Sequence, residues 1–329
     1  MAKEKKYFDD DESEGNIQEE STFTSDDGSS EERKNSEELS GSEEWPQRGG
    51  DDYEGYSQEE IKDVNAISVT VADKTTPIVI LYGPPACGKT MTLVRMTRWL
   101  QTKGYTVSPV RNFRPSNDLS YTKMCDTFNS LVHSQKAAES TNAMNFMLVC
   151  VYDKTGKSVC HLLEAPGEHY FFSTDGNANG NYPRYIENII RQENRKIWLI
   201  MLEPAWKDPS DRQQYVQRIA TLRHKQSQKD STVFVYNKID ELPHLVRAQG
   251  SVNEEAALKS AKDNYPGILV PFKSEIPILK WFKPYLCDFV TFSTGTFHED
   301  TTDGSHYFED GPDAYPRNLW QIIQKNIRG

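Results

Sequence analysis

The octapeptide GPPACGKT at residues 83–90 offers the clearest chemistry in this sequence. It follows the short apolar run IVILY and fits GxxxxGKS/T through Gly83, Gly88, Lys89 and Thr90. Its glycines permit the dihedrals and close approach by which a loop through Pro84, Pro85, Ala86 and Cys87 wraps phosphate oxygens with backbone N–H groups. A helix starting at Gly88 points its positive end at the anion. Lys89 reaches the terminal phosphates, and the Thr90 hydroxyl is placed for Mg²⁺. Cys87 invites a redox role, but a small, soft residue suits a cramped loop.

Two further stretches carry site chemistry. In VFVYNKID an apolar strand delivers Asn237, Lys238 and Asp240 to a loop at the sheet's C-terminal edge. The Asp240 carboxylate can accept two hydrogen bonds from guanine, whose ring N–H and exocyclic amine are both donors; adenine has no such donor pair on that edge. The Lys238 stem can lie over the base plane, and Asn237 can tie this loop to the phosphate loop. Downstream, FVTFSTG places Ser293, Thr294 and Gly295 where their backbone can close over the base carbonyl. In HLLEAPGEHYFF, Glu164 ends a strand and is followed by Gly167, Glu168 and His169. Tyr170, Phe171 and Phe172 read either as core or as a surface that a partner recognises.

The elements that must position these residues are legible as an α/β pattern from residue 66 onward. Strands are expected at 77–82, 105–110, 145–152, 158–164, 197–203, 232–236 and 288–295. Helices are expected at 88–103, closed by Gly104, and at 120–140, 182–190, 210–228 and 317–328. DKTG at 153–156 reads as a tight turn that pairs its flanking strands antiparallel. The order predicts a doubly wound, mostly parallel sheet covered on both faces, with one antiparallel edge strand. Insertions are expected at 105–144 and 241–288, with an acidic loop at 296–314. In that loop His298, Glu299, Asp300, Asp303 and His306 read as a solvated polar cluster rather than a metal site.

Charge is distributed unevenly. Of 329 residues, the first 65 hold 7 Lys/Arg and 22 Asp/Glu, a net −15, whereas residues 66–329 carry 31 basic and 27 acidic groups, a net +4. Residues 1–65 have too little apolar surface to offset chain entropy and are expected to be a disordered acidic tail. A body of +4 with scattered basic residues gives no support for nucleic-acid binding, and the tail repels phosphate. MAKEKKYFDD is followed by no apolar run, and no stretch approaches the ~20 residues of a membrane helix. Five cysteines without a CxxC pair suit a reducing, cytoplasmic compartment.

The motifs GPPACGKT, EAPGE, NKID and FSTG, in that order, resemble those of P-loop GTPases of the Ras-like and translation-factor class. More narrowly, the chain is similar to bacterial GTPase-like proteins with a D-x-P-G-E second motif and long insertions. The resemblance implies a GTP-binding switch that cycles between GTP and GDP with Mg²⁺, hydrolyses slowly, and answers to a protein effector or regulator. It implies that Glu164 holds the metal shell, that the Gly167 N–H meets the terminal phosphate, and that Glu168 or His169 orients water. Glu164 stands where Asp is usual and Glu168 where Gln or His is usual, which implies weak or partner-dependent hydrolysis. A further metal-touching threonine is assigned to Thr141, with Thr122 as the alternative. Arg111 and Arg114 lie where some relatives place a charge-stabilising arginine, but read first as ordinary surface basic residues. Two rivals stand beside this reading. One is an AAA-like ATPase using Glu164 or Glu203 at the metal; the other is a GTP-binding scaffold that does not hydrolyse.

Overall fold

A computed structural model of the protein describes residues 57–328 apart from 136–145, 172–179, 207, 248–249, 276–283 and 300–305. IVILY forms β1 (Ile78–Tyr82) at the centre of a seven-stranded sheet. Successive strand residues face opposite sides, and all five are buried, so both faces of β1 are covered. Its neighbours are β4 (Ser158–Glu164) and β5 (Lys196–Leu202), both parallel to it. β6 (Ser231–Tyr236) and β7 (Asp288–Thr291) extend the parallel run beyond β5.

On the other flank, β3 (Met147–Tyr152) pairs antiparallel with β4 through the expected 153–156 turn. Gly156 has φ 80° there, and Asp153 Oδ1 accepts from the backbone N–H groups of Thr155 and Lys157. β2 (Thr106–Pro109) pairs antiparallel with β3 and forms the outermost strand. Four residues ending in proline suit an edge that must not recruit another strand. The order β2-β3-β4-β1-β5-β6-β7 is thus the expected doubly wound, mostly parallel sheet with antiparallel pairing at one flank. The chain turns to one side after β1 and crosses to the other after β4, so the C-terminal ends of β1, β4, β5 and β6 meet where a ligand crevice opens.

The helices start where the residue types say they should. Asp118 caps α3 (Leu119–His133) by accepting from Tyr121 N at 2.8 Å. Asp208 caps α6 (Pro209–Lys225), and Asn253 caps α7 (Glu254–Asn264). Between β1 and β2 runs α2 (Lys89–Thr102), ended by Gly104 at φ 84°. α2 packs against both α3 and the final helix α8 (Ala314–Arg328), while the short α4 (Gly167–Phe171) packs against α6. α5 (Arg184–Arg191) turns Tyr185, Ile186, Ile189 and Ile190 inward, as its spacing predicts.

Two expectations about the chain's periphery need correction. Order reaches back to Ser57, inside the stretch expected to be tail, and residues 1–56 lie outside the described residues. Gln58–Lys62 form α1 behind a Ser57/Glu60 capping box, and Glu60 binds Arg114 with both oxygens at 2.8 Å. The stretch 296–314, expected to be an acidic loop, holds two strands and the start of a helix among its described residues. Gly295–Glu299 (β8) and His306–Asp310 (β9) pair antiparallel in a second, two-stranded sheet, and α8 begins at Ala314. No helix among the described residues is long and apolar enough to cross a membrane.

Candidate functional site

The phosphate loop joins β1 to α2. Ala86 has φ 61° and Gly88 φ 86°, so two residues of the loop are left-handed, one of them at the glycine that permits it. A Cβ on Gly83 would lie 2.6 Å from Cys87 Sγ, and one on Gly88 would lie 2.4 Å from Asn237 Nδ2. Packing therefore favours glycine at both positions, and the left-handed dihedral adds a second requirement at Gly88 alone. α2 begins on Gly88 with no side-chain cap, unlike α3, α6 and α7, so its first N–H groups are not taken by a neighbouring carboxylate. Lys89 is buried, and its Nζ donates to Pro84 O at 3.0 Å. Burial raises the Cys87 thiol to about 11 against the opposing pull of Lys89, so this sulfur is a packing group and not a nucleophile.

Glu164 ends β4 beside the loop because β4 is the direct neighbour of β1. Thr90 Oγ1 donates to Glu164 Oε1 at 2.8 Å. The carboxyl group is 2% exposed, and its Oε2 has no hydrogen-bond partner among the described residues. Burial pushes its pKa up to about 8, against the lowering effects of Lys89 and of the Thr90 hydroxyl. An orphaned carboxylate oxygen next to a threonine hydroxyl is an all-oxygen donor set of the kind a hard cation takes, so these residues fit Mg²⁺.

Three residues further on, α4 starts against the phosphate loop. A Cβ on Gly167 would lie 2.1 Å from Pro85 N and 2.3 Å from the Pro84 carbonyl carbon, so only glycine brings this backbone so close. Glu168 is half-buried. His169 Nδ1 meets Tyr185 Oη at 2.6 Å, and burial first, then the charge of Lys89, lower the imidazole pKa to about 3. Tyr170 and Phe171 are buried against Tyr82, Tyr215 and Trp206 and belong to the core; Phe172 lies outside the described residues.

The loop after β6 completes the crevice. Asn237 is buried, and its Nδ2 donates to Cys87 O at 2.9 Å, joining the two loops. Lys238 is left-handed at φ 53°, and its ammonium pairs with the carboxylate of Glu203 at the end of β5. Ile239 is buried and its N–H donates to Phe292 O at 3.1 Å, which anchors the loop on the β7 exit. Asp240 is exposed. Ser293 and Thr294 follow β7 and are buried.

Some residues singled out from the sequence are placed elsewhere. Arg114 is buried with its guanidinium on Glu60, Asp118 and Ser68 O, and Arg111 is exposed and paired with Asp126 at 2.6 Å. Arg114 is therefore committed to holding α1 and α3. Thr141 lies outside the described residues, and Thr122 Oγ1 donates to Asp118 O within α3. His298 meets Glu309 at 3.4 Å on the β8–β9 pair, and no metal-binding cluster occurs among the described residues. Residues that the sequence gave no site role include Tyr185, read there as core alone, and Arg218. Arg218 is fully buried, with Nε on Tyr170 O at 3.1 Å and Nη1 on Gly180 O at 2.6 Å. A charged residue on the inward stripe of α6, one position before Ile219, was the signal for it.

No family model matches the sequence, and none of the curated proteins is similar to it. Among solved structures, one described as nucleolar GTP-binding protein 1 from Plasmodium falciparum is 12% identical with a TM-score of 0.38, covering 79% of this chain and 90% of that one. The GTP-bound GTPase-like domain of S. cerevisiae Ski7 is 14% identical with a TM-score of 0.37, covering 78% and 51%. The bacterial selenocysteine-specific elongation factor EF-Sec is 12% identical with a TM-score of 0.34, covering 77% and 29%. At these scores no property of those proteins transfers to this chain.

Proposed function

We propose that this chain is a guanine-nucleotide switch that binds Mg·GTP and hydrolyses it to GDP and phosphate, slowly or when a partner protein completes the site. The observation that carries the reading is the bond from Asn237 Nδ2 to Cys87 O. It joins the loop built for phosphate to a loop whose exposed Asp240 offers a carboxylate to a base with two adjacent donors. In the loaded state, residues 83–90 cradle the phosphates, Lys89 leaves the Pro84 carbonyl for the terminal phosphates, and the Gly167 N–H faces the same oxygens. Thr90 and Glu164 hold the cation, which offsets phosphate charge. The Lys238 stem covers the base, and the backbone at Ser293 and Thr294 closes over its carbonyl.

The groups near the terminal phosphate favour slow chemistry. An imidazole whose pKa is about 3 is too weak a base to take a proton from water at neutral pH, so His169 orients water rather than deprotonates it. Glu168 is the remaining candidate for activating it. A reducing, cytoplasmic setting agrees with five cysteines that are all unpaired. The ATPase alternative uses Glu164 or Glu203 at the metal, and of these two the Glu203 carboxylate holds Lys238. Competition binding with GTP and ATP tests the reading. Wild type is expected to prefer GTP, and Asp240→Asn to weaken GTP by about a hundredfold while leaving ATP unchanged. Equal affinity for both nucleotides in wild type would favour the ATPase. Single-turnover assays with Mg²⁺ separate the switch from a scaffold, which releases no phosphate alone or with lysate.

A further inference from the structure

We propose that the β8–β9 pair is a working part of the nucleotide site, a strap that sets the base-closing loop from the phosphate-loop helix, with Arg95 as its positioning residue. The inference rests on the guanine reading above and extends it to a segment that none of the motifs includes. β9 and the turn after it lie along one face of α2, the face of Met91, Arg95 and Arg98 at helical spacing. Phe308 is buried against Met91, the residue after Thr90. One turn on, Arg95 is 3% exposed, with Nη1 on Asp310 Oδ2 at 3.3 Å and Nη2 on Gly311 O at 2.7 Å and Asp313 Oδ1 at 2.9 Å. Arg98 adds a bond to Asp310 Oδ1 at 2.8 Å and lies over the Phe308 ring.

The decisive residue is Gly311, which is held at both ends. Its carbonyl accepts from Arg95, and its N–H donates to Thr294 O at 3.2 Å. Thr294 is the residue expected to close over the base. Its neighbour Gly295 has φ 147°, and a Cβ there would lie 2.0 Å from Glu309 O and 2.7 Å from Gly311 N, so the two backbones are in direct contact. A single relay thus runs from the helix that bears Lys89 and Thr90, through a buried guanidinium and the one residue Gly311, to the Thr294 carbonyl. A fork of five donors can hold two carboxylates and a carbonyl together; an ammonium at the same place cannot. The strap fixes where the base-closing backbone stands relative to the phosphates.

The test uses the full chain as wild type, Arg95→Lys and Asp313→Asn, the last altering a side chain largely open to solvent. Competition binding compares GTP with 6-thio-GTP, which keeps both donors that face Asp240 and changes only the group under the Thr294 loop. Wild type is expected to prefer GTP. That preference falls about tenfold in Arg95→Lys and by a smaller factor in Asp313→Asn, with thermal unfolding little changed in the latter. A preference unchanged in both variants, or absent in a wild type that still prefers GTP to ATP, overturns the strap and leaves the guanine reading standing. A wild type without preference for GTP over ATP overturns the guanine reading itself, and the strap's role at the base with it.

Discussion

At the scale of single residues, Glu164 separates this site from one built on aspartate. The additional methylene lets the carboxylate reach Thr90 Oγ1 directly at 2.8 Å, in a pocket so dry that its other oxygen has no partner among the described residues. Such a pair costs free energy unless a cation or a proton completes it. Glu164→Gln keeps the shape and removes the charge. Mg²⁺ is expected to strengthen GTP binding in wild type, and the variant to lose about tenfold of that gain while binding in EDTA is unaltered. Titrations with Mg²⁺ and with EDTA check this, and an undiminished gain in the variant counts against Glu164 as the metal-holding residue. Cys87 makes the opposite point, since its burial and raised thiol pKa leave packing against Gly83 as its role.

Among the elements, α4 has the most demanding placement. Its first residue abuts the phosphate-loop backbone so closely that a methyl group on Gly167 would meet Pro84 and Pro85 main-chain atoms, which cannot turn aside as a flexible side chain can. Gly167→Ala is expected to push α4 off the loop and lower stability by about 1–3 kcal/mol, read as a shifted urea midpoint. An unchanged midpoint would mean that the loop yields. The elements that bear motifs were legible in the sequence because their signals are local. IVILY, DKTG and VFVY each carry their own periodicity or turn chemistry within eight residues. The β8–β9 pair was not, because its strands GTFHE and HYFED are short and polar. What holds them is α2, some two hundred residues earlier in the chain. The partner of Arg114 was not legible for a related reason. Glu60 belongs to a stretch whose averaged composition reads as tail, and an average over 65 residues hides a capping box in the last nine.

Within the whole molecule, the contribution of His169 to stability falls on acidification, while Glu164, its pKa raised to about 8, works in the opposite sense. The folded chain holds His169 neutral, with its pKa lowered to about 3, while the unfolded chain protonates it near 6.5. Its contribution is therefore complete above about pH 6.5 and is lost progressively as pH falls toward 3, because the unfolded state then binds the extra proton. Urea unfolding from pH 7.5 to 4.5 is expected to show the stability difference between wild type and His169→Gln shrinking as acid is added. A constant difference would mean that the imidazole takes up its proton without cost in the fold. The C-terminal edge of the parallel sheet brings three loops together, and the second small sheet is held against the phosphate-loop helix. What would make this a guanine site is contact between Asp240 and the base. A crystal structure with a Mg²⁺-bound, non-hydrolysable GTP analogue tests it most directly. The expected result is the Asp240 carboxylate accepting from the ring N–H and the exocyclic amine of guanine while residues 83–90 enclose the phosphates. Phosphates in that loop with the base bound elsewhere and Asp240 turned to solvent would contradict it.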